Sequence, residues 1–297
     1  MKIGIIGGGS IGLLFAHYLN NNNDVSVYVR TQDQAEMLAS EGLVLQKDGV
    51  SSCNQINAYT IDQWSGSEEL TIIAVKQYHL STLKHLFKKN IKTSFLFLQN
   101  GMGHLKLLDD INEITILLGV VEHGALKVNG NKVIHTGAGI TKIADFKGKQ
   151  QSLIQRIIAS STEDFPFDYV SDYYSMLSQK LLANAVINPI TAVLKVTNGE
   201  LIHNNFYFQV VKQMVKELTL VLQLENDGSA LAYVESICEK TSENRSSMLK
   251  DIEEGRPTEV DAILGYVLTV ANENRLEIPI TEGFYQLIKG LELKGAK

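Results

Sequence analysis

The sequence predicts an α/β domain with a parallel sheet, followed by an all-helical domain. From residue 1 to about 170, apolar runs of strand length alternate with helical segments, a pattern that favours parallel strands joined by right-handed crossovers. After Asp172, apolar residues recur at helical spacing and strand-like alternation nearly disappears. A chain of 297 residues is also longer than one ordinary domain. We therefore expect two domains, at 1–170 and 171–297.

The predicted strands of the first domain are short, apolar and bounded by turn residues. They lie at 3–7, 25–29, 43–47, 70–75, 94–99, 114–121, 132–136 and 167–171. The strands between 114 and about 145 are separated by Gly-rich turns instead of long helices, so we expect antiparallel additions to one edge of the sheet.

Helix positions follow from capping residues and from the spacing of apolar residues. After the second strand, Thr31 and Gln34 stand three residues apart, which fits a capping box at the start of a helix. In the second domain, helices are predicted over 172–195, 204–224, 228–240, 258–274 and 280–293.

Charge and cysteine content exclude several classes of protein. The formal net charge is −6 and no block of Lys and Arg stands out, so we expect neither nucleic acid nor a membrane surface as a partner. Cys53 and Cys238 belong to no metal-ligand pattern, which predicts reduced thiols and no metal site. No apolar stretch reaches the ~18 residues of a membrane helix, and a strand stands where a leader would begin. We expect a cytoplasmic protein.

Residues 2–12 read KIGIIGGGSIG, a strand that runs into a glycine loop and then into an apolar helix. In this context Gly7 makes the tight turn, Gly9 lets the backbone approach a pyrophosphate, and Gly12 lets the helix close against the strand. The diphosphate would then lie on the positive end of that helix. The first domain is therefore expected to be a Rossmann-type dinucleotide-binding domain.

The residue after the second strand predicts which dinucleotide binds. NAD enzymes usually place an acid there for the ribose 2′-hydroxyl, whereas this chain has Arg30. A guanidinium offers a 2′-phosphate a bidentate, charge-assisted contact, so we expect NADPH. The alternative is that Arg30 is a solvated charge at a strand end.

Polar residues follow two further strands at the edge where open α/β sheets bind ligands. Lys76 and Gln77 follow the strand at 70–75, and Gln99 and Asn100 stand at the end of the strand at 94–99 and directly after it. An asparagine can donate and accept together, so Asn100 could bridge cofactor and substrate. The alternatives are a surface charge for Lys76 and a turn residue for Asn100.

The second domain contains a polar row and a polar loop. Lys180, Asn184 and Asn188 recur every four residues, so they share one face of an otherwise apolar helix. This row is expected to line a cleft, or alternatively to hydrogen-bond a neighbouring helix. Ser247 lies near a helix start and Glu259 begins the next helix; from the residues alone, a solvated helix–loop–helix accounts for this stretch.

Several motifs in the same order resemble the ketopantoate reductase (2-dehydropantoate 2-reductase) family over essentially the whole chain. They are GGGSIG at 7–12, VK at 75–76, LQNGMG at 98–103, the Lys–Asn–Asn row at 180–188, NGEL at 198–201, and SSM-x-x-D-x-x-x-G-R-x-T-E-x-D at 246–261. The resemblance implies reduction of ketopantoate to pantoate by hydride transfer from NADPH, in pantothenate and coenzyme A synthesis.

The resemblance also implies roles for individual residues. Lys180 would be the general acid, and Glu259 would reach the ribose side of the cofactor and orient the site. Ketopantoate would bind to Asn100, Asn184, Asn188, Asn198 and Ser247. The cofactor would contact Gly7, Gly8, Gly9, Ser10, Ile11, Gly12, Arg30, Lys76, Asn100, Ala125 and Glu259. His123 is interpreted as a histidine satisfied at a strand end and receives no role.

Two other functions fit the sequence. One is a related NADP-dependent reductase of another small 2-keto or 3-hydroxy acid, because the fold does not fix the substrate. The other is a non-catalytic NADP(H) sensor, although a sensor has no need of the polar row and Ser247. A homodimer is one alternative for the oligomeric state.

Overall fold

The computed structural model describes residues 1–87, 91–111 and 115–295. These fall into two compact units, the first made of residues 1–99 and 107–176, and the second of residues 100–106 and 177–297. The chain passes from the first to the second within the helix Tyr173–Leu194. The short segment 100–106 therefore packs with the helical unit, although its sequence neighbours belong to the α/β unit.

The first unit contains twelve strands among the described residues. They are β1 (Lys2–Ile6), β2 (Asp24–Val29), β3 (Leu43–Lys47), β4 (Val50–Asn54), β5 (Asn57–Thr60), β6 (Leu70–Ile73), β7 (Ser94–Phe97), β8 (Ile116–Val121), β9 (Gly124–Lys127), β10 (Lys132–Gly137), β11 (Thr141–Lys147) and β12 (Phe167–Tyr169). The main sheet has the order β12-β11-β8-β7-β6-β1-β2-β5, and a second sheet has the order β4-β3-β10-β9.

The helices of the first unit are α1 (Ser10–Leu19), α2 (Gln32–Glu41), α3 (Leu80–Phe87), α4 (Leu105–Asp109, which straddles the unit boundary) and α5 (Gln151–Ile158). Strands β6 and β7 are buried at every position, as expected for central strands of a parallel sheet. Helix α1 begins directly after β1 and is buried along most of its length. Its first turn therefore lies at the carboxyl edge of the main sheet.

The predicted antiparallel additions at one edge are wrong for two strands. β8 pairs in parallel with β7, with Phe95 opposite Ile116, and only β11 adds antiparallel to it. The chain after β7 is long enough to return to the starting edge, so β8 continues the parallel series. β10 leaves the main sheet and pairs with β3 and β9 instead. Ile114, at the start of the predicted strand 114–121, lies outside the described residues.

The predicted capping box at α2 is half confirmed. Thr31 is the N-cap, and its side chain accepts a hydrogen bond from the Gln34 backbone N–H at 3.4 Å. The Gln34 side chain does not return to Thr31, because its amide nitrogen donates to the carbonyls of Gly8 and Gly130 at 2.9 and 2.8 Å. A contact across the fold therefore replaces the local one.

The second unit contains helices joined by turns and no strand among its described residues, as predicted. Its helices are α6 (Tyr173–Leu194), α7 (Glu200–His203), α8 (Asn205–Val221), α9 (Asp227–Lys240), α10 (Ser247–Glu253), α11 (Tyr266–Glu273) and α12 (Pro279–Gly295), with a π-helical turn at Asp261–Gly265. Within the described part of the chain, none of the helices has both the length and the hydropathy required to cross a bilayer.

Candidate active-site residues in the two units

The glycine loop has the shape that a dinucleotide diphosphate requires. Gly7 has φ +123°, and a Cβ there would lie 2.9 Å from the Ala74 carbonyl carbon. A Cβ on Gly12 would lie 3.0 Å from the Gly7 carbonyl carbon and overlap its oxygen, so α1 approaches the loop without room for a side chain. A Cβ on Gly9, the N-cap of α1, would meet no atom within 4 Å. The loop is closed where it packs and open where a pyrophosphate would approach.

The loop is held from two directions through the Gly8 carbonyl oxygen. The Gln34 amide of α2 donates to it at 2.9 Å, and the Lys127 ammonium of β9 donates to it at 2.9 Å. Gln34 also donates to the Gly130 carbonyl, in the turn between β9 and β10. The second sheet therefore contributes directly to the cofactor loop, which the sequence analysis did not foresee.

Cationic side chains gather near the end of β2. Arg30 follows that strand and is exposed. Burial lowers the pKa of Lys127 and of His79, and the Arg30 charge lowers both further, so the three groups share one electrostatic region. Lys76 begins the 3₁₀ turn that contains His79 and accepts its backbone N–H at 2.9 Å. A phosphate at this strand end would meet the positive charges of Arg30 and Lys127.

The carboxyl edges of β6 and β7 carry a fixed amide. The Gln99 side-chain nitrogen donates to the carbonyls of Ile73 and Val75, both at 2.9 Å, which joins the two strand ends. Its oxygen is buried and has no hydrogen-bond partner within the described residues, and the same holds for the Gln77 side-chain oxygen. Buried acceptors of this kind normally find a donor, so they fit a ligand that carries amide or hydroxyl hydrogens.

Ala125 and His123 lie at the start of the second-sheet hairpin. Ala125 is half-buried in β9, opposite His135 of β10. His123 Nδ1 accepts from the Gly139 N–H at 3.1 Å and lies 3.2 Å from His135 Nε2. Burial, together with the His135 charge, lowers the pKa of His123 to about 4. A ring that stays neutral at neutral pH supplies no acid, which agrees with giving His123 no role.

In the second unit, Asn100 and Glu259 are brought together. The Asn100 amide nitrogen donates to Glu259 Oε2 at 2.9 Å, and the Glu259 residue is 6% exposed. The neighbouring Gly101 has φ +75°, and a Cβ there would lie 2.7 Å from the Ala262 carbonyl carbon. The Asn100 loop therefore lies directly on the π-helical turn that follows Glu259. π-turns interrupt regular helices at functional sites more often than elsewhere.

The predicted polar row lies on one face of α6. Lys180 and Asn184 are partly exposed between buried apolar residues, and Asn188 is buried. One turn further, the Thr191 hydroxyl donates to Ser246 Oγ at 2.8 Å. Ser246 caps α10 by accepting the Leu249 N–H at 3.1 Å.

The cap also positions Ser247, the first residue of α10, which is exposed. Because Ser246 is bonded to Thr191, the start of α10 lies next to α6, about one turn beyond Asn188. The prediction that Ser247 lies near a helix start is confirmed.

Asn198 is hydrogen-bonded to residues near the end of α9. Its amide nitrogen donates to Thr241 Oγ1 at 2.9 Å, and its backbone N–H donates to the Asn244 carbonyl at 3.0 Å. The residue is 7% exposed, and its side-chain oxygen is buried without a hydrogen-bond partner among the described residues. An acceptor left in this state is well suited to a hydroxyl or ammonium donor from a ligand.

Among the residues that the resemblance names, the structure joins Asn100 to Glu259 within the second unit. In the first unit, Gly8 of the glycine loop lies next to Val29, the residue before Arg30. Two residues that contact the glycine loop were not predicted. Lys127 and the side chain of Gln34 were missed. A signal for Lys127 existed in the sequence, because residues two apart on a strand share a face and Lys127 is two residues after Ala125.

Family models and curated relatives match nearly the whole chain. The family model described as ketopantoate reductase PanE/ApbA matches residues 3–148, and the model of its C-terminal part matches residues 172–292. The 2-dehydropantoate 2-reductase of Bacillus subtilis is 42% identical over 98% of both chains. The 2-dehydropantoate 2-reductase of Listeria monocytogenes is 38% identical over 98% of this chain and 97% of its own.

Solved structures show the same relationship. The crystal structure of the probable 2-dehydropantoate 2-reductase from Bacillus subtilis has a TM-score of 0.91 at 41% identity, covering 98% of this chain and 100% of that chain. The ternary structure of D-mandelate dehydrogenase with NADH and anilino(oxo)acetate has a TM-score of 0.90 over both whole chains, but at 20% identity it shows the fold alone. The family models and the full-length identity together show that this chain belongs to the ketopantoate reductase family.

Proposed function

We propose that this protein reduces 2-dehydropantoate (ketopantoate) to pantoate with NADPH, as a step in pantothenate and coenzyme A synthesis. The observation that carries the proposal is the 42% identity over 98% of both chains with a relative named 2-dehydropantoate 2-reductase. The geometry supports it, because one unit contains a loop open to a diphosphate and the other contains a polar row headed by an ammonium.

The first unit, residues 1–170 in the sequence-based division, is proposed to hold NADPH, which supplies the hydride. The backbone of the glycine loop, from Gly7 to Gly12, would bind the diphosphate at the start of α1, where Ser10 and Ile11 would contribute their N–H groups. Arg30 and Lys76 bind the 2′-phosphate, and the Ala125 backbone contacts the cofactor. The open approach at Gly9 and the positive charge near Arg30 support these roles.

The second unit is proposed to hold ketopantoate; the sequence-based division gave it residues 171–297, and the structure adds the segment 100–106 that contains Asn100. Lys180 stabilises the negative charge that develops on the C2 carbonyl oxygen and then donates its proton there. The remaining contacts use amides and a hydroxyl, which can donate to a carboxylate and accept from a hydroxyl. They come from Asn100, Asn184, Asn188, Asn198 and Ser247.

Glu259 is proposed to act on the site in two ways. It fixes the Asn100 amide by accepting its hydrogen, which leaves the Asn100 carbonyl oxygen able to accept from a ligand. Its position at the start of the π-helical turn, which the resemblance associates with the ribose side of the cofactor, makes it a partner for NADPH as well. The buried carboxylate–amide pair supports the first role.

A related reductase of another 2-keto acid is the second candidate, because D-mandelate dehydrogenase shares this fold. The two are separated by incubating the purified protein with NADPH and a panel of 2-keto acids, with the products identified by mass spectrometry. Ketopantoate should be preferred in kcat/KM and should yield pantoate. Preference for an aromatic 2-keto acid would overturn the assignment. Tight NADPH binding without turnover of any panel member would indicate a sensor.

The proposal includes a homodimer in the cytoplasm. A structural neighbour from Staphylococcus aureus is described as a dimeric ketopantoate reductase, at 21% identity. Both cysteines of this chain are free thiols, as expected in a reducing compartment. Light scattering coupled to size exclusion tests the dimer, and cell fractionation tests the location.

A further inference from the structure

The contact between Lys127 and the glycine loop joins two distant parts of the first unit. The Lys127 ammonium donates to the Gly8 carbonyl at 2.9 Å, although the residues are 119 positions apart. The position of β9 is fixed by the turn that follows it, since Gln34 bonds the Gly130 carbonyl and a Cβ on Gly130 would lie 2.8 Å from Met37 Sδ. Lys127 is therefore presented to the loop by an anchored hairpin.

The Gly8 carbonyl is a weak partner for an ammonium. The carbonyl is neutral and already accepts from the Gln34 amide, whereas an ammonium has three hydrogens to donate. Burial lowers the pKa of Lys127, and the nearby Arg30 charge lowers it further. His79 experiences the same two effects. Of these groups, Arg30 and Lys127 are the cations, and an anion that binds between them relieves their mutual repulsion.

The location indicates which part of a dinucleotide this anion belongs to. Gly8 lies beside the end of β2, because the Gly7 N–H donates to the Tyr28 carbonyl at 2.9 Å and a Cβ on Gly8 would lie 2.6 Å from Val29. Dinucleotide-binding sheets hold the adenosine ribose at the end of the second strand and the diphosphate at the helix start. Lys127 and Arg30 therefore meet at the ribose end of the loop.

We propose that Lys127 is a third cation for the adenosine 2′-phosphate, beside Arg30 and Lys76, and that it contributes to the preference for NADPH over NADH. When NADPH binds, the Lys127 ammonium would donate to a phosphate oxygen instead of to the Gly8 carbonyl. The hairpin of the second sheet thereby completes the adenosine end of the cofactor site. This inference rests on the proposed use of NADPH by the first unit.

The test compares ligands that differ only in the 2′-phosphate, measured by isothermal titration calorimetry on the full-length protein. Two pairs of ligands are compared: NADPH against NADH, and 2′,5′-ADP against ADP. Lys127→Ala should weaken NADPH and 2′,5′-ADP about tenfold while changing NADH and ADP by less than about twofold, since a single charge-assisted hydrogen bond is lost. Lys127→Arg should restore most of the difference.

The control is Lys149→Ala, which removes one exposed charge elsewhere in the same unit and should leave all four affinities unchanged. Equal weakening of NADPH and NADH by Lys127→Ala would show that Lys127 only supports the loop, and would overturn the inference. No weakening of either would also overturn it. If the wild-type protein binds NADH as tightly as NADPH, the proposed cofactor choice fails as well, so the two failures are distinguishable.

Discussion

Replacement of two glycines in the same loop separates packing from cofactor binding. Gly12→Ala places a methyl group 3.0 Å from the Gly7 carbonyl carbon and against its oxygen, and neither atom can rotate away because both are backbone. Gly9→Ala places a methyl group where no atom lies within 4 Å. Gly9 has φ −83° and ψ −175°, a conformation that alanine adopts without strain. The two variants should therefore fail in different ways.

The magnitudes follow from those distances. A separation of 3.0 Å is about 0.5–1 Å below the optimum of about 3.5–4.0 Å between carbon atoms, so α1 must move away from the loop. The Cβ would also overlap the Gly7 carbonyl oxygen, so this overpacking costs at least about 3 kcal/mol and lowers the melting temperature by at least about 6 °C. Gly9→Ala should change the free energy of unfolding by less than about 1 kcal/mol. Its methyl group instead occupies space that the diphosphate needs. We expect this to cost about 1–3 kcal/mol of binding free energy, which weakens NADPH binding about 5- to 150-fold.

The assay combines thermal unfolding of the unliganded protein with NADPH titration by calorimetry. Gly283→Ala is the matched control, because Gly283 lies in α12 and its Cβ would also meet nothing within 4 Å. That variant should retain both stability and NADPH affinity. If Gly9→Ala binds NADPH as well as the wild type, the diphosphate does not approach this loop and the cofactor assignment is refuted. If Gly12→Ala retains full stability, the close approach of α1 is refuted.

Three other predictions concern cofactor choice, the Asn100–Glu259 pair and pH. Arg30→Glu should raise KM for NADPH far more than KM for NADH, because it places a carboxylate next to the 2′-phosphate. Steady-state kinetics with both cofactors measures this, and equal increases in the two KM values would contradict it. Asn100→Ala should lower the free energy of unfolding in urea by about 1–3 kcal/mol, because it removes a hydrogen-bond donor from the buried Glu259 side chain. Adding Glu259→Gln should recover part of this loss. If the losses of the two single variants add in the double variant, the hydrogen bond is contradicted. Burial lowers the pKa of His104 from 6.5 to about 4. Between these two values the unfolded chain binds a proton at His104 and the folded chain does not, so the free energy of unfolding falls as the pH drops from about 6.5 toward 4. Between pH ~7.5 and ~5 this amounts to about 2 kcal/mol, which His104→Gln should remove from urea unfolding curves; an unchanged pH dependence would contradict it.

Local patterns in the sequence predicted the parts of the site that depend on neighbouring residues. The glycines of the loop and the helix after it lie within a dozen residues, so their geometry follows from turn and helix sterics alone. The row on α6 follows from the helical repeat, because side chains four residues apart share a face. These features required no knowledge of the rest of the fold.

Contacts between distant segments could not be predicted in this way. Gln34 fits a local capping box, but its side-chain amide donates to the carbonyls of Gly8 and Gly130. The fold brings these two carbonyls within reach, and they replace the predicted hydrogen bond to the Thr31 backbone. Asn100 and Glu259 are 159 residues apart, and only the packing of the Gly101 loop against the π-helical turn brings them together. The direction of β8 depended similarly on the path of the connection before it.

The role of Lys180 is tested most directly by the turnover of Lys180→Ala with NADPH and ketopantoate, measured beside calorimetric NADPH binding. Loss of a preorganised donor to the developing alkoxide should lower kcat about 10²- to 10³-fold, while NADPH binding changes by less than about twofold. Wild-type kcat in this variant would contradict the account, because the proton would then reach the substrate from another group.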